Sequence, residues 1–127
     1  MRLSTIRRGV IGENLVVADC LKRGMDVYKP CVDDKTVDLL VLINSKPITI
    51  QVKNHKSMNT KSSISISIKA TKADVIAVPY EGKVFYFKNE RKNERWGLSI
   101  AIKTPRNNQK QYIHFAKDYE DFPYDNI

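Results

Sequence analysis

The stretch TVDLLVLINSKPITIQVKN, from Thr36 to Asn54, restricts the possible folds more than any other part of the chain. Val37 to Ile43 is almost continuously apolar, the pattern of a strand covered on both faces. Asn44-Ser45-Lys46-Pro47 carries turn chemistry, so the run that follows returns beside the first. In that second strand Ile48, Ile50 and Val52 take one face, while Thr49, Gln51 and Lys53 take the other. Asp38 interrupts the apolar run near its start, and the neighbouring strand brings it toward Gln51 and Lys53. An ionised carboxylate in an interior strand is costly unless paired or metal-bound. A carboxylate, an amide oxygen and a lysine converging on a sheet suit a divalent metal and a phosphate.

A helix is predicted upstream, from about Val10 to Arg23, preceded by Arg7 and Arg8. Its predicted buried stripe is Ile11, Leu15, Ala18 and Leu21, widened by Val16 and Cys20, and Gly24 stops it in the C′ position. Glu13 lies in the first turns at the edge of that stripe. Met25 to Lys29 reads as a short strand ending at Pro30, and Cys31 to Lys35 as a polar turn in which Asp33 and Asp34 are solvated.

Beyond Lys53 the chain is polar through Lys61. The run SSISISI, Ser62 to Ile68, alternates strictly and is a half-buried strand. Lys69 to Ala73 is predicted as one helical turn. Asp74 to Val78 and Lys83 to Lys88 form a hairpin across Pro79-Tyr80-Glu81-Gly82, and Leu98 to Lys103 is a further strand. Near the end, Ile113, Phe115, Ala116, Tyr119 and Phe122 are expected to pack back on the core. This order implies an α/β (α+β) chain with a central mixed β-sheet flanked by helices. The 127 residues suit a single domain with a proper core.

The net charge of +8 fits a polyanionic partner such as nucleic acid. Most of the surplus lies before Ala73, whereas the tail from Asp118 holds Asp118, Glu120, Asp121 and Asp125 with no lysine or arginine. No apolar run reaches the roughly 18 residues of a membrane helix, and Glu13 interrupts the only leader-like patch. A cytoplasmic location is the expectation. Cys20 and Cys31 form no metal-type spacing with His55 or His114 and read as reduced packing residues.

Glu13, Asp38, Gln51 and Lys53 form the candidate catalytic set. Phosphodiester hydrolysis needs an attacking water, charge neutralisation at phosphorus and help for the leaving oxygen. Mg2+, with Mn2+ as its substitute, takes oxygen ligands and keeps several waters, so few protein ligands suffice. Asp38 would be the principal ligand. The Gln51 side-chain carbonyl and the Val52 main-chain carbonyl would be neutral ligands, and Glu13 would add charge directly or through water. Lys53 would orient or deprotonate the water, or stabilise charge on the phosphate.

Asp38, the turn and Gln51-Val52-Lys53, with a helical Glu13 upstream, resemble the PD-(D/E)XK nuclease superfamily. Val37 replaces the motif's proline, and Gln51 replaces its second acid. The resulting QxK form is similar to the group I intron-associated homing endonucleases. Pro105-Arg106-Asn107-Asn108-Gln109-Lys110, followed by Ala116-Lys117-Asp118-Tyr119, resembles the P-x-N-x-Q-x(n)-A-x-D-Y ending of that branch. The segment GVIGENLVVADCLKRG resembles its first helix.

The resemblance implies a restriction-endonuclease-like αβββαβ core and a Mg2+-dependent, site-specific endonuclease of double-stranded DNA. It also implies a homo-oligomer, dimer or tetramer, that cuts both strands. It places Glu13, Asp38, Gln51 and Lys53 at the catalytic positions. Charge and placement add Arg7, Arg8, Lys56, Lys61, Arg106, Asn108 and Lys110 as DNA contacts. Two alternatives stay open. One is a structure-selective nuclease like a Holliday-junction resolvase, and the other a catalytically silent DNA-binding domain of the same fold.

Overall fold

The structure, a computed structural model, describes residues 3–32, 37–55, 63–102 and 114–124. The helix α1 (Thr5–Lys22) starts well before the predicted Val10, because Ser4 caps it. The Ser4 hydroxyl accepts the Arg7 backbone N–H at 3.2 Å, satisfying one of the unpaired donors of the first turn. Arg7 and Arg8 therefore belong to the helix rather than preceding it. Gly24, at φ 84°, takes the left-handed position that ends it.

The buried face of α1 is shifted from the predicted one, with the predicted margin of Val16 and Cys20 at its centre. Gly12, Val16 and Cys20 are buried, while Ile11, Leu15 and Leu21 are 48%, 37% and 57% exposed. Close approach explains the shift. A Cβ on Gly12 would lie 2.8 Å from Asn54 Oδ1 and 3.2 Å from Pro79 Cγ, so the helix comes closest to its neighbours at a residue with no side chain. Steric fit overrides hydrophobicity here.

Five strands make the central sheet. They are β1 (Asp26–Tyr28), β2 (Leu39–Ile43), β3 (Lys46–Val52), β5 (Val75–Tyr80) and β6 (Lys83–Lys88), in the order β1-β2-β3-β5-β6. The β2–β3 hairpin turns on Asn44 and Ser45, at φ 51° and 67°. Positive φ at both central residues matches the right-handed twist of the flanking strands. Lys46 and Pro47 already belong to β3. That strand pairs antiparallel with β2 but parallel with β5, so the sheet is mixed, as expected.

Three more strands, β4 (Ser63–Ile68), β7 (Trp96–Ala101) and β8 (His114–Phe115), form a second sheet in the order β4-β7-β8. Two buried clusters show how the layers stack. Val16 and Cys20 of α1 pack on Leu39, Val41, Ile48, Ile50, Val75, Ala77 and Tyr86. Ile64, Ile66, Ile68 and Ile100 of the second sheet pack on Ile76, Val78, Phe85 and Phe87. The alternation of β5 and β6 thus feeds both clusters. One face of the central sheet carries a helix, and the other a sheet where flanking helices were expected.

The same difference shows in the crossover from β3 to β5, where an αβββαβ core has a helix. Among the described residues that crossover holds β4, and 69–73 is not helical. The strict Ser-Ile alternation selects a strand with one buried face, and its isoleucines fill it.

Of the C-terminal residues expected to pack back, Ala116, Tyr119 and Phe122 do so, while Ile113 lies outside the described residues. Ala116, in a 3-10 turn (Ala116–Tyr119), and Phe122 are buried. The ring of Phe122 lies 5.0 Å from that of Tyr86, and that of Tyr119 4.4 Å from Phe87. Cys20 is buried in the core, but Cys31 is exposed, so the packing role holds only for the first.

Candidate active site

The site begins where β2 and β3 stop pairing regularly. The ladder pairs Leu39 with Ile50, and one step further the Asp38 N–H donates to the Ile50 carbonyl at 2.9 Å. Asp38 therefore stands across from Gln51. Its carboxylate Oδ2 accepts the Val52 N–H at 2.8 Å, a charge-assisted bond. That bond fixes the carboxylate against the strand carrying Gln51 and Lys53. The Lys53 N–H donates to the Ala77 carbonyl at 2.9 Å, so the end of β3 is held from β5 as well.

Gln51 and Lys53 are two apart on an extended strand and share a side of it. The side chain of Gln51 carries an unusual feature. Its Oε1 is buried, with no hydrogen-bond partner among the described residues. A buried amide oxygen left unmatched costs about 1–3 kcal/mol, so this atom calls for a ligand.

Helix α1 supplies the third element. The contact of Gly12 with Asn54 seats the second turn of α1, one residue before Glu13, against the residue after Lys53. Glu13 and Asp38 line one open cleft of ≈ 220 Å³, together with Val10, Lys29 and Pro30. The structure therefore unites Glu13 and Asp38 at a cleft, and joins Asp38 to Gln51-Val52-Lys53 through the backbone. Gln51 and Lys53 are not among the residues lining the cleft.

These donors are all oxygens, two carboxylates and an amide, with the Val52 carbonyl adjacent. Hard cations such as Mg2+ take such a set, and the orphaned Gln51 oxygen is an atom such an ion would satisfy. Among the described residues no three His, Cys, Asp or Glu side chains converge as a metal site.

Arg7 and Arg8 are exposed on the first turns of α1. Arg8 lines a second cleft with Ile11, Gly12, Asn54, His55 and Tyr80. Lys56, Lys61, Arg106, Asn108 and Lys110 lie outside the described residues, as do Asp33 and Asp34. Sequence reasoning missed Lys29, whose only local signal is its place between a short strand and a proline.

The other polar clusters are internally matched. Asp19 Oδ2 accepts from Arg23 Nε at 2.8 Å and from the Tyr86 hydroxyl. Burial pushes the Tyr86 phenol far above its usual range, and the bond to Asp19 adds to the shift. Asp74 accepts from the Thr49 N–H at 3.0 Å, the Thr49 hydroxyl at 3.1 Å and the Lys92 ammonium at 2.6 Å. Burial works to raise the Asp74 carboxyl, but the Lys92 and Thr49 donors outweigh it and hold it below the usual carboxylate range.

Comparison with known proteins agrees with this geometry. A solved structure described as that of a bacterial homing endonuclease, I-Ssp6803I, superposes with a TM-score of 0.72 at 17% identity. The match covers 93% of this chain and 87% of that one, so the fold is shared. No curated protein matches the sequence. Among the described residues no helix is long and apolar enough to cross a membrane. The sequence model of the PD-(D/E)XK endonucleases matches residues 3–88, a span that takes in α1, the β2–β3 hairpin and all four candidate residues. The chain belongs to the PD-(D/E)XK endonuclease family.

Proposed function

We propose that this endonuclease hydrolyses phosphodiester bonds in double-stranded DNA at preferred sites, using a divalent cation. The observation that carries the reading is the Asp38 carboxylate pinned to the Val52 N–H, beside the buried, partnerless oxygen of Gln51. Asp38 and Gln51 would hold Mg2+ or Mn2+, with the Val52 carbonyl beside them and Glu13 adding charge directly or through water. Bound there, the cation supplies Lewis-acid polarisation of the phosphate and acidification of a water.

The chain's own residues do the rest. Lys53, anchored by its N–H on β5, holds or moves the proton of the attacking water, or stabilises charge on the phosphate. The exposed Arg7 and Arg8 meet the DNA backbone. Cutting both strands of a duplex takes two such sites, which a homo-oligomer supplies. The fold likeness to a homing endonuclease supports site preference.

Incubating the full chain with Mg2+ or Mn2+ and a randomised duplex library, then sequencing the ends, tests this. Asp38→Ala and Lys53→Ala should each lower cleavage by about 10² to 10⁴-fold, while DNA binding in Ca2+ persists. If wild type is as inert as both variants on every duplex, the enzymatic reading is lost. Gln51 carries no charge, and that favours a second reading, a silent DNA-binding domain of the same fold. DNA binding without cleavage would select it.

A further inference from the structure

Lys29 follows the edge strand β1 and precedes Pro30. It shares the cleft of ≈ 220 Å³ with Glu13 and Asp38, and among the described residues that line it Lys29 is the one cation. Its ammonium approaches Asn14 Oδ1 at 3.5 Å, the outer limit of a hydrogen bond. It makes no ion pair with a described residue. A lysine poised at a cleft with two carboxylates, yet paired to neither, keeps its charge for an incoming anion.

We propose that Lys29 grips a backbone phosphate of the DNA next to the one being cut. The proposal deepens the nuclease reading and rests on it. A polyanion entering a cleft walled by Glu13 and Asp38 meets repulsion from both, and Lys29 offsets it on the β1 side. Asn14 follows Glu13 on α1, so its contact ties the ammonium to the turn that carries the helix acid. Arg7, Val10 and Asn14 recur at i, i+3 and i+7 on one face of α1. Arg7 therefore continues the cationic edge along the helix. Lys29 thus sets where the duplex lies relative to Asp38.

The test measures affinity of the full chain for a mixed-sequence duplex in Ca2+ across a KCl series. Lys29→Met should flatten the dependence of log affinity on log salt by about 0.9, the value of one lost phosphate contact. Lys29→Arg should restore it, and with Mn2+ Lys29→Met should raise KM more than it lowers kcat. Lys29→Gln serves as a second charge-neutral variant, and circular dichroism melting checks that each folds. A wild-type salt slope in Lys29→Met and Lys29→Gln, with wild type binding and cutting, overturns the role of Lys29 and leaves the nuclease reading standing. A wild-type protein that neither binds nor cuts removes both.

Discussion

Helix α1 carries two acids, Glu13 and Asp19, whose surroundings could hardly differ more. Asp19 is enclosed by its own fold. Arg23 donates to it from one turn along and Tyr86 from across the core, while Arg23 also donates to the Glu120 carbonyl. That network ties α1, β6 and the C-terminal segment together. Glu13 lines an open cleft with Asp38, and Asp38 stands across from Gln51 on β3, whose buried amide oxygen has no partner among the described residues. One helix thus carries an acid bound into the internal network of the fold and another that borders an open cleft.

Replacing the orphaned group breaks that contrast most sharply. Gln51→Leu should cut the cleavage rate by at least about a hundredfold. It should leave folding stability within about 1 kcal/mol of wild type, or slightly improve it, because a satisfied bond is not lost. Loss of stability comparable to that of a core polar substitution, in urea titrations, would mean that Gln51 belongs to the fold.

The matched end should behave in the opposite way. Asp19→Ala strands the buried Tyr86 hydroxyl and the Arg23 guanidinium, and should cost about 1–3 kcal/mol, read by the same titrations. Cleavage by the folded fraction should not change. A selective loss of cleavage would erase the distinction between the two acids.

The smallest expected effect concerns Asp74, another matched acid. Its folded carboxyl lies below its unfolded value of roughly 3.9, so its contribution is present above that pH. It is lost as pH falls through the lower folded value. Lys92→Met should flatten the acid limb of the stability–pH profile by at most about 1 kcal/mol, as the pair is half exposed. Equal acid limbs would assign the shift to Thr49 alone.

Features governed by local chemistry were legible in the sequence. The Asn44-Ser45 turn, the alternation of Ile48 to Val52 and of Ser63 to Ile68, and the β5–β6 hairpin follow from turn residues and period-two patterning. So did the juxtaposition of Asp38 with Gln51, because one hairpin register sets both. The buried face of α1 was legible only in part: Val16 and Cys20 belonged to the predicted stripe, but the place of Gly12 is set by its close approach to Asn54 and Pro79. The second sheet was not legible, since its β4 and β7 are joined only across a long stretch of chain. The Asp19–Tyr86 bond is likewise a distant pairing, and the place of Lys29 depends on how α1 leans on β1.

The bond between Asp38 Oδ2 and the Val52 N–H has a bearing on ion selectivity. A carboxylate anchored through one oxygen cannot swing to chelate through both without releasing the strand. A small ion with strict octahedral demands accepts a single oxygen at short range, whereas a larger one gathers more oxygens and readily takes both from one carboxylate. Were a divalent cation held there as proposed, the pinned aspartate would favour a magnesium-sized occupant over a calcium-sized one through a single main-chain amide.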